Sequence, residues 1–492
     1  MSSIPSLHAL HSRYNPVAEA ERYVNSLRLR DEASCFILIE PGLGYLIPFL
    51  RRKRPDARLI MLHVAEPDDA PVPETTSIPA WSPEHGEPLQ RFLENEIAVG
   101  ATAIQIIEWR PALAVYGERY HGLLEETVEF IRRLDAGERT LRQFGKRWFS
   151  NFFRNLRLLM HYTYPRSLLH TPVIVTGAGP NLESALPLIW EQKSHDPTLI
   201  FAASSATPSL LAAGLTPDFV ISTDGGSWAQ CHLYESLRDS IRTHARVPFI
   251  LAVSMSAALP SQCAEVPLLL MSDTSQWQSL ILRGLGLPFV SLPQRGTVTA
   301  SALDLAFCLT SGDVVISGTD LAVNDIRIHA RPYSFERLLE ERASHFLPLY
   351  TQYFTRSRAI VEGKSHDVYA AWFKAHIDSY SSRLYSLGKN SSVFSNAPSC
   401  TTRDRVQKAT AAKSADGNVW EMARFSHPNP VKAGVSLLLN TLSSNAAIGV
   451  AIKRELVPLL FPDRSGNAPD TVSLSELTDA IRILTKLDSS HA

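Results

Sequence analysis

A chain of 492 residues, 45% hydrophobic and 20% charged, has the composition of a globular protein of about two to four domains, which excludes a mini-protein, a fibrous repeat and a largely disordered chain. Its 48 basic and 49 acidic residues leave a formal net charge of -1, so no global positive field marks it for nucleic acid or an acidic membrane surface. The five cysteines (Cys35, Cys231, Cys263, Cys308 and Cys400) are scattered without a CxxC pair, which removes the usual zinc and dithiol readings and points to a reducing compartment.

Residues 1–13 lack a basic start followed by an apolar run, and no stretch of about 18 apolar residues occurs. The expectation is a cytoplasmic protein with no membrane span. Asn15 as a cap, Pro16 in the first turn and Glu19 and Glu21 near the dipole predict a helix over residues 16–28. An apolar run at 35–39, the loop PGLGY at 41–45, a basic helical stretch and a second run at 59–64 read as a βαβ start, with a further strand near 104–107. Residues 116–165 read as mostly helical, and 144–155, with Trp148, Phe149, Phe152 and Phe153, as a connecting helix. Glu66 follows the second strand where a ribose-binding acid would stand, but Ile47 occupies the third-glycine position, so the loop reads as structural.

From residue 172 onward, β-branched runs at 173–175, 199–201, 219–221, 249–251, 267–270 and 314–316 alternate with helical stretches, the pattern of a doubly wound parallel sheet. The polar stretch 399–416 breaks the pattern, and helices are expected near 430–445, 447–460 and 473–487. The expected layout is an N-terminal α/β domain over 1–165, a larger α/β core over 166–395 and a helical C-terminal domain over 396–492.

Within the core, VIVTGAGPNLE at 173–183 runs from strand through glycine turn to helix, a geometry that lets a phosphate approach backbone amides. Leu182 at the third-glycine position and Pro180 after the second glycine disfavour NAD or FAD. PDFVISTDG at 217–225 ends a strand on Asp224, which either orients a sugar hydroxyl, holds a cation through water, or caps the next helix. RGTVTA at 295–300 opens an apolar helix, with Thr297 and Thr299 at its anion-favouring end. VVISGTDLA at 314–322 ends a strand on Gly318 and Asp320, with His329 nine residues beyond Asp320.

This ordered succession resembles the motility-associated-factor glycosyltransferases, the 6-hydroxymethylpterin diphosphokinase MptE-like domain, across residues 145–395. The segment SRYNP at 12–16 and the loop at 42–45 extend the resemblance toward the N-terminus. The resemblance implies a Rossmann-like core similar to bacterial sialyltransferases. It also implies transfer of a pseudaminic- or legionaminic-type nonulosonic acid from a CMP-activated donor to Ser or Thr of flagellin, in support of flagellar assembly and motility. No cofactor or metal is required on that reading. Gly177, Gly179, Pro180 and Asn181 would line the nucleotide phosphate and ribose, and Asp224, Thr297, Thr299, Gly318 and Asp320 would complete the pocket. His329 would be the general base and Asp320 the second catalytic residue, with Arg327 and Arg331 facing the phosphate or a solvated loop, and Tyr385 or Lys389 reaching the donor. The chain departs from the family in GPNL for GPSL and in GTDLAVNDIRIH for GxDLAY. Two other readings are a magnesium-dependent pterin diphosphokinase using Asp224 and Asp320, and a non-catalytic nucleotide-binding flagellar assembly factor.

Overall fold

A computed structural model of the chain describes residues 10–66, 73–97, 103–195, 197–243, 247, 249–363, 365–380, 382–400, 420–444, 446–462 and 472–486. The chain divides into two compact units, one of residues 1–145 with 450–478, the other of 146–449 with 479–492.

In the smaller unit, α1 (Pro16–Ser26) begins where the sequence predicts, with the Asn15 side chain accepting from the Ala18 amide at 2.9 Å. It leads into β1 (Cys35–Ile39), α2 (Ile47–Lys53), β2 (Arg58–Leu62), β3 (Ala80–Trp81), α3 (Leu89–Glu96), β4 (Ile104–Glu108) and α4 (Arg110–Tyr116). The strands form a parallel sheet in the order β3-β2-β1-β4. Its glycine turn is filled from within: a Cβ at Gly42 would lie 2.3 Å from His11 Nε2, which accepts the Leu43 amide at 3.0 Å. Glu40 is fully buried, its carboxylate bound to His63 Nδ1 at 3.0 Å and the Val64 amide at 2.7 Å. The structural reading of this loop therefore has a physical basis, since a side chain of the same chain lies where a ligand would approach.

Helix α5 (Glu118–Leu158) runs 41 residues and crosses the division between the units. The larger unit continues with β5 (His161–Pro165), β6 (Val173–Thr176), α6 (Leu182–His195), β7 (Leu199–Ala203), α7 (Thr207–Ala212), β8 (Phe219–Ser222), α8 (Ala229–Thr243), β9 (Ile250–Ser254) and β10 (Leu268–Ser272). Then follow α9 (Gln276–Gly284), β11 (Val290–Ser291), α10 (Val298–Leu309), β12 (Val314–Ser317), α11 (Glu336–Arg342), α12 (Leu349–Glu362), α13 (Ser365–His376), β13 (Leu384–Ser386), β14 (Trp420–Arg424) and α14 (Pro430–Ser443). Helices α15 (Ala447–Leu460) and α16 (Leu474–Thr485) complete the described elements.

The large sheet has the order β13-β12-β6-β7-β8-β9-β10-β5-β14, with β11 beside β10. Every pairing is parallel except β5 with β14. Alternate strand residues serve two apolar layers. Val173, Val175, Phe201 and Ile221 pack with Leu303 and Ala306 of α10, whereas Ile174, Ile200 and Ala202 pack with Ala185 and Ile189 of α6 and Leu210 of α7. Helices thus cover both faces of a mostly parallel sheet, and all six apolar runs read from the sequence are strands.

Two boundaries differ from expectation. The first domain does not extend to residue 165, because Phe149, Phe152 and Phe153 of α5 are buried against Trp277 of α9, and His161–Pro165 is a strand of the large sheet. Residues 396–492 are not a separate helical domain. Trp420–Arg424 pairs antiparallel with β5, and Gly434 of α14 stands against Ile281 of α9, so this region is divided between the two units. The polar stretch expected at 399–416 lies outside the described residues apart from its first two.

The α5 segment also carries two buried amides that secure the carboxyl edge of the sheet. Asn151 Nδ2 donates to Gly225 and Ser256 carbonyls at 3.1 and 3.0 Å, and Asn155 Nδ2 donates to Met255 and Ala257 carbonyls at 2.9 and 2.8 Å. Asn155→Ala strands two buried acceptors and is expected to destabilise the larger unit by about 1–3 kcal/mol. Urea denaturation followed by tryptophan fluorescence checks this; an unchanged midpoint would mean that water replaces the amide.

Candidate active site

The order of the large sheet reverses at β6, since β7 to β10 lie on one side of it and β12 and β13 on the other. An open parallel sheet leaves a crevice at the carboxyl ends of its strands at such a reversal. The two turns at this point, 177–181 after β6 and 318–320 after β12, are bound tightly to each other. Gly177 donates its amide to the Ser317 carbonyl at 2.9 Å, Gly179 to the Gly318 carbonyl at 2.8 Å, and Asn181 to Asp320 Oδ2 at 2.7 Å. A Cβ on Gly177 would lie 2.6 Å from the Gly318 carbonyl oxygen, and one on Gly179 would lie 2.6 Å from Asp320 Cγ. Gly318 has φ +64° and would itself meet Gly177 and Leu182.

These contacts correct the phosphate cradle expected from GAGPN. The amides of Gly177, Gly179 and Asn181 are used by the β12 turn, Pro180 is buried and has no amide to give, and the start of α6 already carries the carboxylate of Asp320. A branched residue at 179 would strike Asp320 rather than a ligand, so its substitution does not report on nucleotide binding alone.

Beside the paired turns lies a cavity of about 490 Å³, whose polar lining comes from residues such as Asn181, Asp320, Lys389 and Asn390 and whose apolar lining comes from residues such as Leu321 and Val393. The loop after β13 closes it: Asn390 Oδ1 accepts the Thr319 amide at 2.9 Å, and the Ser391 amide donates to the Thr319 carbonyl at 2.8 Å. Asp320 is only 7% exposed, and its Oδ1 is buried without a hydrogen-bond partner among the described residues. Burial pushes its carboxyl above the usual range, opposed by the Asn181 backbone and side chain and by the charge of Lys389. Thr176, Ser222, Ser272 and Ser317, the last residues of their strands, also carry buried hydroxyls without a partner among the described residues. The apolar strands therefore turn polar at the edge where the crevice opens.

Other residues singled out from the sequence surround this edge without lining the cavity. Asp224 is exposed, and its Oδ1 accepts the amide of Gly226 at 2.7 Å, the turn role rather than a shared carboxylate site with Asp320. Thr297 caps α10 by accepting the Ala300 amide at 3.0 Å, and Thr299 sits half-buried in its first turn. Arg327 pairs with Glu183 at 2.9 Å and Arg331 with Glu336, so neither is reserved for a phosphate. Tyr385 stands in β13 and packs with the layer around Ala185.

His329 is absent from the cavity lining; it stacks on Tyr333 with ring centroids 5.5 Å apart, and the Ala330 amide ties this loop to the Ala178 carbonyl at 2.9 Å. Burial first, then the charges of His232, Arg356 and His366, push the His329 imidazolium down to about 3. The imidazole is neutral throughout the physiological range, so an activity inflection near pH 6.5 is not expected from it.

Helix α13 joins these parts. His366 lies near enough to His329 to disfavour its cation, Tyr369 lies near Asp224 and 3.8 Å from a Cβ built at Gly296, Ala370 lines the cavity, and Phe373 enters the core. Sequence reading missed α13, Asn390 and the asparagines of α5. Only the aromatic pattern of α5 hinted at a buried role, because asparagine on a helix looks the same whether it faces water or holds a loop.

Residues 146–325 match the family model described as 6-hydroxymethylpterin diphosphokinase MptE-like. This span of the core is thus similar to an MptE-like domain. The matched span holds both paired turns and Asp320, while Lys389, Asn390 and α13 lie beyond it. Two uncharacterised proteins of Treponema pallidum (strain Nichols) are similar to the chain. One is 27% identical over 335 residues, covering 66% of this chain and 69% of the relative; the other is 34% identical over 118 residues, covering 23% and 55%. The solved structure of a MAf glycosyltransferase from Magnetospirillum magneticum AMB-1 aligns with 98% of this chain and 80% of its own at 14% identity, with a TM-score of 0.49. At that level the likeness carries no argument about activity.

Two predictions concern the paired turns of the matched span. Gly179→Ala is expected to destabilise the fold by about 1–3 kcal/mol, because the new methyl displaces the Asp320 side chain. The double variant Gly179→Ala/Asp320→Gly should recover part of that loss, a coupling of about 0.5–3 kcal/mol in a double-mutant cycle; strict additivity would separate the two residues. The second concerns pH. With its folded-state pKa raised above 3.8, Asp320 contributes stability that is full below that value and lost as pH rises through the folded pKa. Asp320→Asn keeps an acceptor for the Asn181 amide and removes this loss. Its Tm relative to the parent should therefore grow more favourable from about pH 4 to pH 8; a difference independent of pH would remove the buried-carboxyl account.

Proposed function

We propose that this protein is a glycosyltransferase that moves a sugar from a nucleotide-activated donor to a hydroxyl, with the 490 Å³ cavity at the sheet reversal as the donor site. The observation that carries the reading is the chemistry of that cavity. Asparagine amides and serine hydroxyls suit a polyhydroxylated ligand, a single lysine suits a phosphate-bearing one, and one carboxyl of raised pKa sits among them. The motif succession from GAGPN to ISGTDLA supports a CMP-activated nonulosonic acid as donor, Ser or Thr of flagellin as acceptor, a sialyltransferase-like core, and a cytoplasmic site of action. The reaction needs no resident cofactor.

In this reading Lys389 faces the departing phosphate and Asn181, Asn390 and Ser391 orient the ribose and sugar hydroxyls. The acceptor oxygen attacks the anomeric carbon as the bond to the phosphate breaks, and Asp320 takes the hydroxyl proton, its raised pKa making it a stronger base than an exposed carboxylate. His329, assigned this role by resemblance, stands instead in a cluster of basic groups.

The description of the matched family favours one alternative, magnesium-dependent pyrophosphoryl transfer to a pterin. That chemistry calls for carboxylates that share a metal, and Asp224 turns its Oδ1 to the Gly226 amide while Asp320 gives Oδ2 to Asn181. Calorimetric titration with CMP and with ATP, each with EDTA or magnesium, separates the readings. CMP binding that EDTA leaves unchanged and Lys389→Ala weakens is expected; ATP binding only with magnesium would favour the kinase. Asp320→Asn, folded and still binding CMP, should transfer about 10²–10⁴-fold more slowly. Full turnover by that variant would leave Asp320 as a structural clamp.

A further inference from the structure

Four basic side chains on three helices and a loop meet at the same edge of the large sheet without a part in the proposed transfer. His329 lies with its ring centroid 6.5 Å from that of His232 on α8, and it feels the charges of Arg356 on α12 and His366 on α13. His232 is oriented by Ser334, with Nδ1 3.0 Å from its hydroxyl, and both His232 and the Arg356 guanidinium pack on Phe335 at 5.0 Å. Trp228, 60% exposed, stands 6.0 Å from Phe335, so the cluster reaches the surface.

The acidic neighbours are engaged elsewhere or face outward. Glu336 is bound to Arg331 and Tyr353, Glu183 holds Arg327 and the Arg331 amide, and Asp367 acts on His366 from its own helix. Tyr333 stacks on His329 and its phenol is pushed up by burial. Among the described residues no carboxylate lies within ion-pair distance of Arg356, and the ring nitrogens of His329 and His366 have no hydrogen-bond partner. Three imidazoles whose cationic forms burial disfavours, set around a guanidinium with no carboxylate partner among the described residues, are a costly arrangement for the free protein. An anion entering among them would neutralise Arg356 and favour the protonated imidazoles, turning each into a charged donor.

We propose that Arg356, His329, His232 and His366 form an oxyanion-binding site, for a carboxylate or phosphate group, and that its ligand binds together with a proton. The site is separate from the residues lining the Asp320 cavity, and the proposal does not rest on glycosyl transfer.

The test uses the full chain at about pH 6.5, where a free imidazole and its cation are near balance. Inorganic phosphate and acetate are titrated separately by calorimetry in two buffers of different ionisation enthalpy, and the histidine Cε1–H signals are followed by NMR with labelled histidine. Saturable binding with net proton uptake and a shift of the His329 signal is expected for at least one of them. Binding of phosphate alone assigns a phosphoryl ligand, and binding of acetate alone a carboxylate. Arg356→Gln should weaken binding at least about tenfold, Arg356→Lys should retain part of it, and His329→Gln should reduce the proton uptake. Circular dichroism checks that the variants fold; should Arg356→Gln fail to do so, proton uptake by the parent and its loss in His366→Gln decide. No saturable binding of either anion, binding without proton uptake, or affinity unchanged in folded Arg356→Gln overturns the proposal. Because no donor or acceptor is present, this outcome is independent of the outcome for transfer.

Discussion

Everything at the carboxyl edge of the large sheet depends on the contact between the turn after β6 and the turn after β12. Three glycines allow the two backbones to meet with no side chain between them, and the Asp320 carboxylate closes the contact by binding the first free amide of α6. A carboxylate at a helix N-terminus is favoured by the dipole, yet here that benefit comes with burial and with one oxygen left unpartnered. The loop after β13 then fastens onto the same turn through Asn390 and Ser391, so three chain segments distant in sequence share one rigid corner. The cavity is a by-product of that corner: its walls are the outer surfaces of residues whose inner contacts hold the sheet reversal together.

Much of this fold was legible in the sequence because burial on both faces of a parallel sheet leaves a plain mark. Short β-branched runs such as 173–175 and 314–316 have no polar face to confuse with a helix. The two strands at the β14 end of the sheet lacked that mark. His161–Pro165 mixes tyrosines with a histidine and a proline and is only partly buried, and Trp420–Arg424, the edge strand beside it, carries charges at partly or fully exposed positions. The domain boundary at 165 failed for a different reason: α5 is one uninterrupted 41-residue helix that serves both units, and helix periodicity contains no signal of which core it packs on.

The candidate site was legible as positions but not as roles. Gly177, Gly179 and Gly318 announce a close approach, and the sequence cannot say whether a ligand or another turn makes it; the partner proves to be Asp320, 139 residues from Asn181. His329 is visible as a histidine beyond a strand end, whereas its basic neighbours His232, Arg356 and His366 come from three separate helices and give no local pattern. Asn390 looks like an ordinary loop residue until its amide is seen to bridge Ile316, Ser386 and Leu387.

The two α/β units repeat one plan, a parallel sheet whose strand order reverses beside a glycine turn, but they differ in what stands at that turn. In the smaller unit His11 lies against Gly42 and takes up the Leu43 amide, while the Trp109 indole donates to the Leu10 carbonyl and fixes the segment that carries His11. The imidazole acts as an internal stopper, held by a hydrogen bond at each end of the arrangement. Each glycine turn is thus occupied by the chain itself, the larger unit's by a second backbone turn and a carboxylate, the smaller unit's by an imidazole, so a glycine-rich strand-to-helix turn can serve as an internal fastening rather than a cradle.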